Sequence, residues 1–201
     1  ITTGEGGMAC TEKDEFAERM KTMRLHGISK DAWKRYSAKG SWYYEITEAG
    51  YKYNLTDIAA ALGIAQLRKC DEFFQKRTSI AHRYTDIFKD VPEIKAPIVQ
   101  EYGTHAWHLY VIQLKLEMLK ITRAEFIETM RENGIGCSVH FIPLHLHPYY
   151  RKTYGYSPGD FPVATHVYDR IVSLPIYPKM TEEDVNFVID NVLKIITKNK
   201  K

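Results

Sequence analysis

No CxxC pair occurs in the sequence, and its three cysteines (Cys10, Cys70 and Cys137) stand far apart and are odd in number. That excludes a disulfide framework and a zinc-ribbon arrangement, and predicts reduced, mostly buried thiols. No apolar run approaches the roughly 18 residues that a membrane-spanning helix needs, so no membrane partner is expected. The formal net charge is only +3, with acidic and basic residues interleaved. A balance so close to neutral carries no argument for nucleic acid as a partner. Neither GxGxxG nor GxxxxGK[ST] is present, so the common phosphate-cradling loops are missing. The chain also lacks an initiator methionine and the charged and apolar regions of a signal peptide, which predicts a cut through a longer, cytoplasmic protein.

What is present suits a globular chain: 44% hydrophobic and 26% charged residues over 201 positions are enough to bury a substantial core. Gly7 to Cys10 reads as a short strand after a glycine-rich turn. Thr11 then caps a helix bearing Phe16, Met20 and Met23, ended by Gly27. Residues 28–50 form an irregular connection. Tyr51 to Leu55 is extended, and Thr56 caps an apolar helix whose spacing persists to Phe88, as one long helix or two nearly collinear ones. Pro92 and Pro97 place a boundary between roughly residues 90 and 105. Strands and helices alternate beyond it, which makes the chain α/β. Trp107 to Leu116 is a strand apolar enough to be covered on both faces. Thr122 and Glu125 form a capping box, and Gly134 ends that helix. Ile135 to Phe141 alternates, setting His140 opposite the apolar residues. Pro162 opens a helix, Ser173 to Tyr177 forms a short strand, and Thr181 with Asp184 caps the last helix. Lys198, Lys200 and Lys201 read as a frayed, solvated tail.

Several residue groups invite a chemical reading. Lys52 and Asn54 lie two apart on an extended segment, so a cation and an amide converge on one spot, which suits a phosphate; a solvated loop before a helix is the plainer alternative. His140, His145 and His147 cluster, but no acidic residue or cysteine lies between Ser138 and Tyr150 to complete a metal shell, so no metal is expected. Hydrogen bonding to a diphosphate or sugar is one reading of these imidazoles, and packing against loop carbonyls is the other, preferred for His147. His108, inside an apolar strand, reads as a satisfied core residue. Gly4, Gly6 and Gly7 with Glu5 suit close backbone approach or tight packing. Trp33, Tyr36, Trp42, Tyr43 and Tyr44 suit a dimer or substrate loop better than an RNA surface.

Three segments together resemble the DegT/DnrJ/StrS family of nucleotide-sugar aminotransferases: Ile1-Thr-Thr-Gly-Glu-Gly-Gly7, Gly50-Tyr-Lys-Tyr-Asn-Leu-Thr-Asp-Ile58, and Gly134-Ile-Gly-Cys-Ser-Val-His140 through Pro143-Leu-His145, followed by Ser173-Leu-Pro-Ile-Tyr-Pro178. Gly50 to Asn54 and His105 to Leu109 look most like the enzymes that make 4-amino-4-deoxy-L-arabinose nucleotides. The resemblance implies the C-terminal part of a pyridoxal 5'-phosphate (PLP) dependent transferase fold of the aspartate aminotransferase superfamily. Residues 1–55 would end the large PLP domain, 56–95 would link, and 96–201 would form a small α/β domain.

It implies amino transfer, usually from L-glutamate, to a keto nucleotide sugar in surface polysaccharide, lipopolysaccharide or lipid A sugar biosynthesis, by a homodimer. The catalytic lysine that anchors PLP would lie upstream of Ile1, leaving no catalytic residue in this chain and the fragment inactive alone. Lys52 and Asn54 would reach the partner subunit's PLP phosphate, where the family carries Asn and Arg, and His140 and His145 would touch substrate. The glycines would run along the active-site floor. A noncatalytic sugar-nucleotide-binding or interaction module of the same descent is the alternative.

Overall fold

The computed structural model describes residues 1–28 and 44–201, which include seven α-helices and three strands. Backbone contacts divide the chain into two units, Ile1–Cys70 and Asp71–Lys201. This division falls earlier than the expected boundary near residues 90–105 and cuts through the region read as a linking helix. The expected long helix is two helices, Asp57–Leu67 (α2) and Cys70–Phe88 (α3), separated by a turn at Arg68 and Lys69. Of the aromatic stretch, Trp33, Tyr36, Trp42 and Tyr43 lie outside the described residues.

In the first unit, α1 spans Asp14–Met23 and starts later than expected. Lys13 is its N-cap and makes no side-chain cap, while Thr11 Oγ1 accepts from Lys13 N–H at 3.1 Å instead. Residues 23–28 run back against 46–53. Tyr51 N–H donates to Met23 O, His26 N–H to Tyr51 O and Tyr53 N–H to Arg24 O, each at 2.7 Å. Two glycines permit this contact. Gly27 has φ +68°, and a Cβ on Gly50 would lie 2.0 Å from Gly27 N, so neither position accepts a side chain without moving backbone. Gly7 to Cys10 takes no strand pairing among the described residues, so it is not the short strand expected there.

Thr56 caps α2 as expected, its hydroxyl accepting from Ala59 N–H at 3.3 Å. Yet no apolar side chain of the described part of this unit is buried, and Ile58 is 86% exposed. A helix apolar on every side belongs in an interior.

The second unit holds all the buried apolar side chains among the described residues. Its sheet is antiparallel, ordered Ile94–Lys95 (β1), Tyr110–Leu114 (β2), Ile171–Leu174 (β3), with Tyr110 opposite Leu174 and Ile94 opposite Leu114. β2 is shorter than the expected strand and buries only Tyr110, Ile112 and Leu114, so it is covered on one face. β3 likewise begins before Ser173, and among the described residues the segment after Gly134 joins the sheet through a bridge between Ser138 and Ser173.

Around the sheet lie α3, Arg123–Glu132 (α4), Pro148–Tyr154 (α5), Pro162–Tyr168 (α6) and Glu182–Lys198 (α7). α4 and α7 open on the capping boxes read from the sequence, Thr122 with Glu125 and Thr181 with Asp184. α7 presents Val185, Val188, Ile189, Val192, Ile195 and Ile196 to the core, opposite Phe126 and Met130 of α4. Each such burial is worth about 1.5–3 kcal/mol relative to exposure. Tyr84 of α3 anchors the centre: its ring packs on Phe88 and Tyr110, and its hydroxyl donates to Pro175 O at 2.9 Å. Burial pushes the phenol of Tyr84 above its ordinary pKa, and that of Tyr110 up to about 12.

The C-terminus is tied down rather than frayed. Lys120 N–H donates to Asn199 O, Lys201 N–H donates to Met118 O, and the Lys200 ammonium lies 2.7 Å from the buried carboxylate of Glu93.

Candidate functional site

Lys52 and Asn54 stand where the strand-like segment leaves its contact with Leu25 and turns into the cap of α2. Because residues two apart on an extended backbone point the same way, their side chains meet: Lys52 Nζ donates to Asn54 Oδ1 at 2.5 Å. Lys52 is exposed and Asn54 half-buried. The bond uses one ammonium hydrogen and leaves the Asn54 amide N–H groups to donate elsewhere. On the other face Tyr51 and Tyr53 stack, with centroids 4.9 Å apart and planes within 3°. Asn54 lines an open groove of about 560 Å³ with Thr3, Glu5, Gly6, Gly7 and Thr56, so the glycine-rich segment runs beside Asn54 within its own unit, and Lys52 is not part of that lining.

In the second unit the histidines separate. His140 is exposed at the rim of an apolar groove of about 670 Å³ between the extended segment to Pro143 and α6, beside Phe141, which is 95% exposed. His145 is 6% exposed, with Nε2 3.1 Å from Thr165 Oγ1 and its ring packed on Phe161 at 4.8 Å. It positions α6 rather than presenting itself to a groove. Asp160 holds the turn before α6 by accepting from Ser157 N–H and Oγ–H, and these bonds, with the nearby His145, keep its carboxyl below the usual range. His147 lies 3.2 Å from Ile142 O, the loop packing expected of it. Among the described residues no group of three or more His, Cys, Asp or Glu side chains is placed to hold a metal ion.

His108 departs from its sequence reading. It lies before β2, is exposed, and follows Trp107 at φ +48°. Arg77 holds this strained turn, donating to Trp107 O, His108 O and Ile176 O at 2.9–3.2 Å, and Trp107 N–H donates to His105 Nδ1. Desolvation lowers the pKa of Arg77. Sequence reasoning missed Arg77 and Thr165, because a lone Arg on a helix and a lone Thr three residues into α6 carry no periodic signal.

The model of the DegT/DnrJ/EryC1/StrS aminotransferase family matches residues 1–193. This chain belongs to that family. The spore coat polysaccharide biosynthesis protein SpsC of Bacillus subtilis is 48% identical over 197 residues, 98% of this chain and 51% of SpsC. Spr1654 of Streptococcus pneumoniae, solved in apo, PLP and PMP forms, superposes in its PMP form with a TM-score of 0.80 at 30% identity, covering 94% of this chain and 46% of Spr1654. PseC of Helicobacter pylori, an aminotransferase involved in the biosynthesis of pseudoaminic acid, superposes at 0.78 and 28% identity, covering 94% of this chain and 48% of PseC. The expected fold, part of a PLP-dependent transferase of α/β class, therefore holds. Family members are PLP-dependent sugar aminotransferases, and this chain spans about half the length of the curated relatives it matches. None of these three names refers to aminoarabinose, and the narrower resemblance to that branch finds no support in them. Among the described residues no helix is long and apolar enough to cross a membrane.

Proposed function

We propose that this chain is the C-terminal part of a cytoplasmic, homodimeric aminotransferase that moves an amino group from L-glutamate to a keto nucleotide sugar for surface polysaccharide. The single supporting observation is the pairing of Lys52 with Asn54 on an exposed, glycine-buttressed segment. A cation and an amide side by side suit a phosphate: the ammonium keeps hydrogens beyond the one bonded to Asn54, and the amide nitrogen is a further donor. Their chemistry fits the phosphate of PLP, which they would hold from the neighbouring subunit while the lysine that binds the cofactor comes from the segment ahead of Ile1. When bound, PLP supplies an electron sink for the carbon that loses or gains the amino group.

The roles left to this chain are binding and orientation. Lys52 and Asn54 fix the phosphate. His140, at the rim of its groove, donates or accepts a hydrogen bond with substrate. His145 acts through Thr165 and Phe161 by fixing the wall of that groove, which refines the direct substrate contact expected of it.

The test is an amino-transfer assay of the protein with its upstream half, PLP, L-glutamate and a 4-keto nucleotide sugar. Turnover that falls at least tenfold with Lys52→Ala and Asn54→Ala supports the reading. Absence of transfer to any nucleotide sugar by a PLP-loaded protein overturns it.

A further inference from the structure

The first seven residues are folded onto themselves. Thr3 Oγ1–H donates to Glu5 O at 3.0 Å, Gly4 N–H donates to Thr2 Oγ1 at 3.2 Å, and Gly4 takes φ +81°. A Cβ on Gly6 would lie 2.2 Å from Thr3 Oγ1, so a side chain there would displace the hydroxyl that closes the turn. A turn bonded in this way moves as one body. Whatever holds it also sets where the chain enters it.

α2 holds it. Among the described residues, the one hydrogen bond that leaves Ile1–Gly7 for another element runs from Thr2 N–H to Gln66 Oε1, at 3.3 Å. Three residues earlier on the same helix, Gly63 comes so close that a Cβ on it would stand 3.1 Å from Thr3 Cγ2. Residues three apart share a helix face, so one face of α2 meets the consecutive residues Thr2 and Thr3. The choice of residues on that face fits the contact. α2 carries alanine at 59, 60, 61 and 65 but glycine at 63, although alanine is the better helix former. Gln66 is half-buried while Ala65 and Leu67 beside it are exposed, so its amide is turned toward the segment.

We propose that Gln66 and Gly63 of α2 are positioning residues for the lysine that binds PLP, an assignment that rests on the reading of that lysine as lying just ahead of Ile1. Gln66 pins a backbone amide that follows the lysine, and Gly63 sets how closely the chain approaches the helix. Both act through backbone. A reacting group displaced by about 1 Å can lose about a hundredfold in rate. Lys52 and Asn54 would hold the phosphate and α2 would place the lysine, so the two sets fail differently: loss of the first weakens PLP affinity, and loss of the second disturbs the lysine while the phosphate stays held.

The test uses the protein with its upstream half. Borohydride reduction of the PLP-loaded protein, followed by peptide mass spectrometry, locates the lysine. Gln66→Met keeps the length of the side chain and removes the acceptor, whereas Gln66→Glu keeps an acceptor. Without PLP, hydrogen exchange in the peptide covering residues 1–7 should speed up at least fivefold in Gln66→Met and stay near wild type in Gln66→Glu. With PLP, Gln66→Met should move the pH midpoint of the cofactor's visible absorbance by about half a pH unit or more and slow amino transfer at least tenfold, with PLP affinity nearly unchanged. Gln66→Glu should restore both. Gly63→Ala should leave the melting temperature unchanged or higher, because alanine favours the helix, and should still move the absorbance midpoint. A role in stability alone would leave that midpoint in place. Thermal unfolding checks that Gln66→Met is folded, and if it is not, Gly63→Ala decides. With the lysine found just ahead of Ile1, an exchange rate and midpoint unmoved in folded variants overturn the positioning role and leave the reading of the site standing. PLP attached to a lysine elsewhere overturns both.

Discussion

The Lys200 ammonium lies 2.7 Å from a carboxylate oxygen of Glu93, a residue only 2% exposed, so the second-last residue of the chain neutralises the most deeply buried acid in the second unit. Glu93 directly precedes β1, and its carbonyl accepts from Lys115 N–H at 2.8 Å, which links the sheet edge, the turn after β2 and the C-terminus. An acid without water must be paired or protonated. The tail that looks solvated in the sequence is therefore a clasp.

Lys200→Met keeps the stem and removes the charge. We expect it to destabilise the second unit by about 1–3 kcal/mol, the cost of leaving a buried acceptor unpaired, nearer the lower figure because Lys200 is half-exposed. Chemical unfolding monitored by circular dichroism measures it.

The same pair sets an acid limb. The bond from Lys200 outweighs desolvation and lowers the pKa of Glu93. Its contribution is then present above the unfolded carboxyl pKa of about 4.3 and is lost as pH falls through the lower folded value. The stability difference between wild type and Lys200→Met should therefore be constant from pH 7 to about 5 and shrink below about pH 4. A difference unchanged down to pH 2 contradicts the ion pair.

Burial pushes the Cys137 thiol up to about 11, whereas Cys10 is exposed. Thiolate is the reactive form. At pH 7.5 a thiol reagent followed by peptide mass spectrometry should label Cys10 at least tenfold faster than Cys137, and the two should converge on unfolding.

Tyr84→Phe should cost about 1 kcal/mol, the bond to Pro175 O alone, because the ring stays in place. Tyr84→Ala should cost about 3–5 kcal/mol, since it also empties the space against Phe88 and Tyr110. Equilibrium unfolding of both variants separates hydroxyl from ring.

Features fixed by adjacent residues were legible in advance. The capping boxes of α4 and α7, the Thr56 cap, Pro162 in the first turn of α6 and the convergence of Lys52 with Asn54 all depend on spacings of two or three residues. Features fixed across the chain were not. Periodicity from Ile58 to Phe88 cannot reveal a break at Arg68 and Lys69, and apolar content alone suggested both faces of β2 were covered when one is. His108 looked like part of a strand because Trp107 has a side chain suited to one; its left-handed backbone is held by Arg77, thirty positions away. His145 and His140 look alike in sequence, and only the fold distinguishes the imidazole bonded to Thr165 from the one at the groove.

Subunit mixing tests the shared phosphate site most directly. One variant of the protein with its upstream half lacks the PLP lysine ahead of Ile1; the other carries Lys52→Ala and Asn54→Ala. Each alone should be nearly inactive. If Lys52 and Asn54 serve the opposite subunit, random re-pairing should restore amino transfer to about a quarter of wild type, because half the dimers would each regain one intact site. Mixtures as inactive as their components would place the pair in its own subunit's site, and would contradict the account.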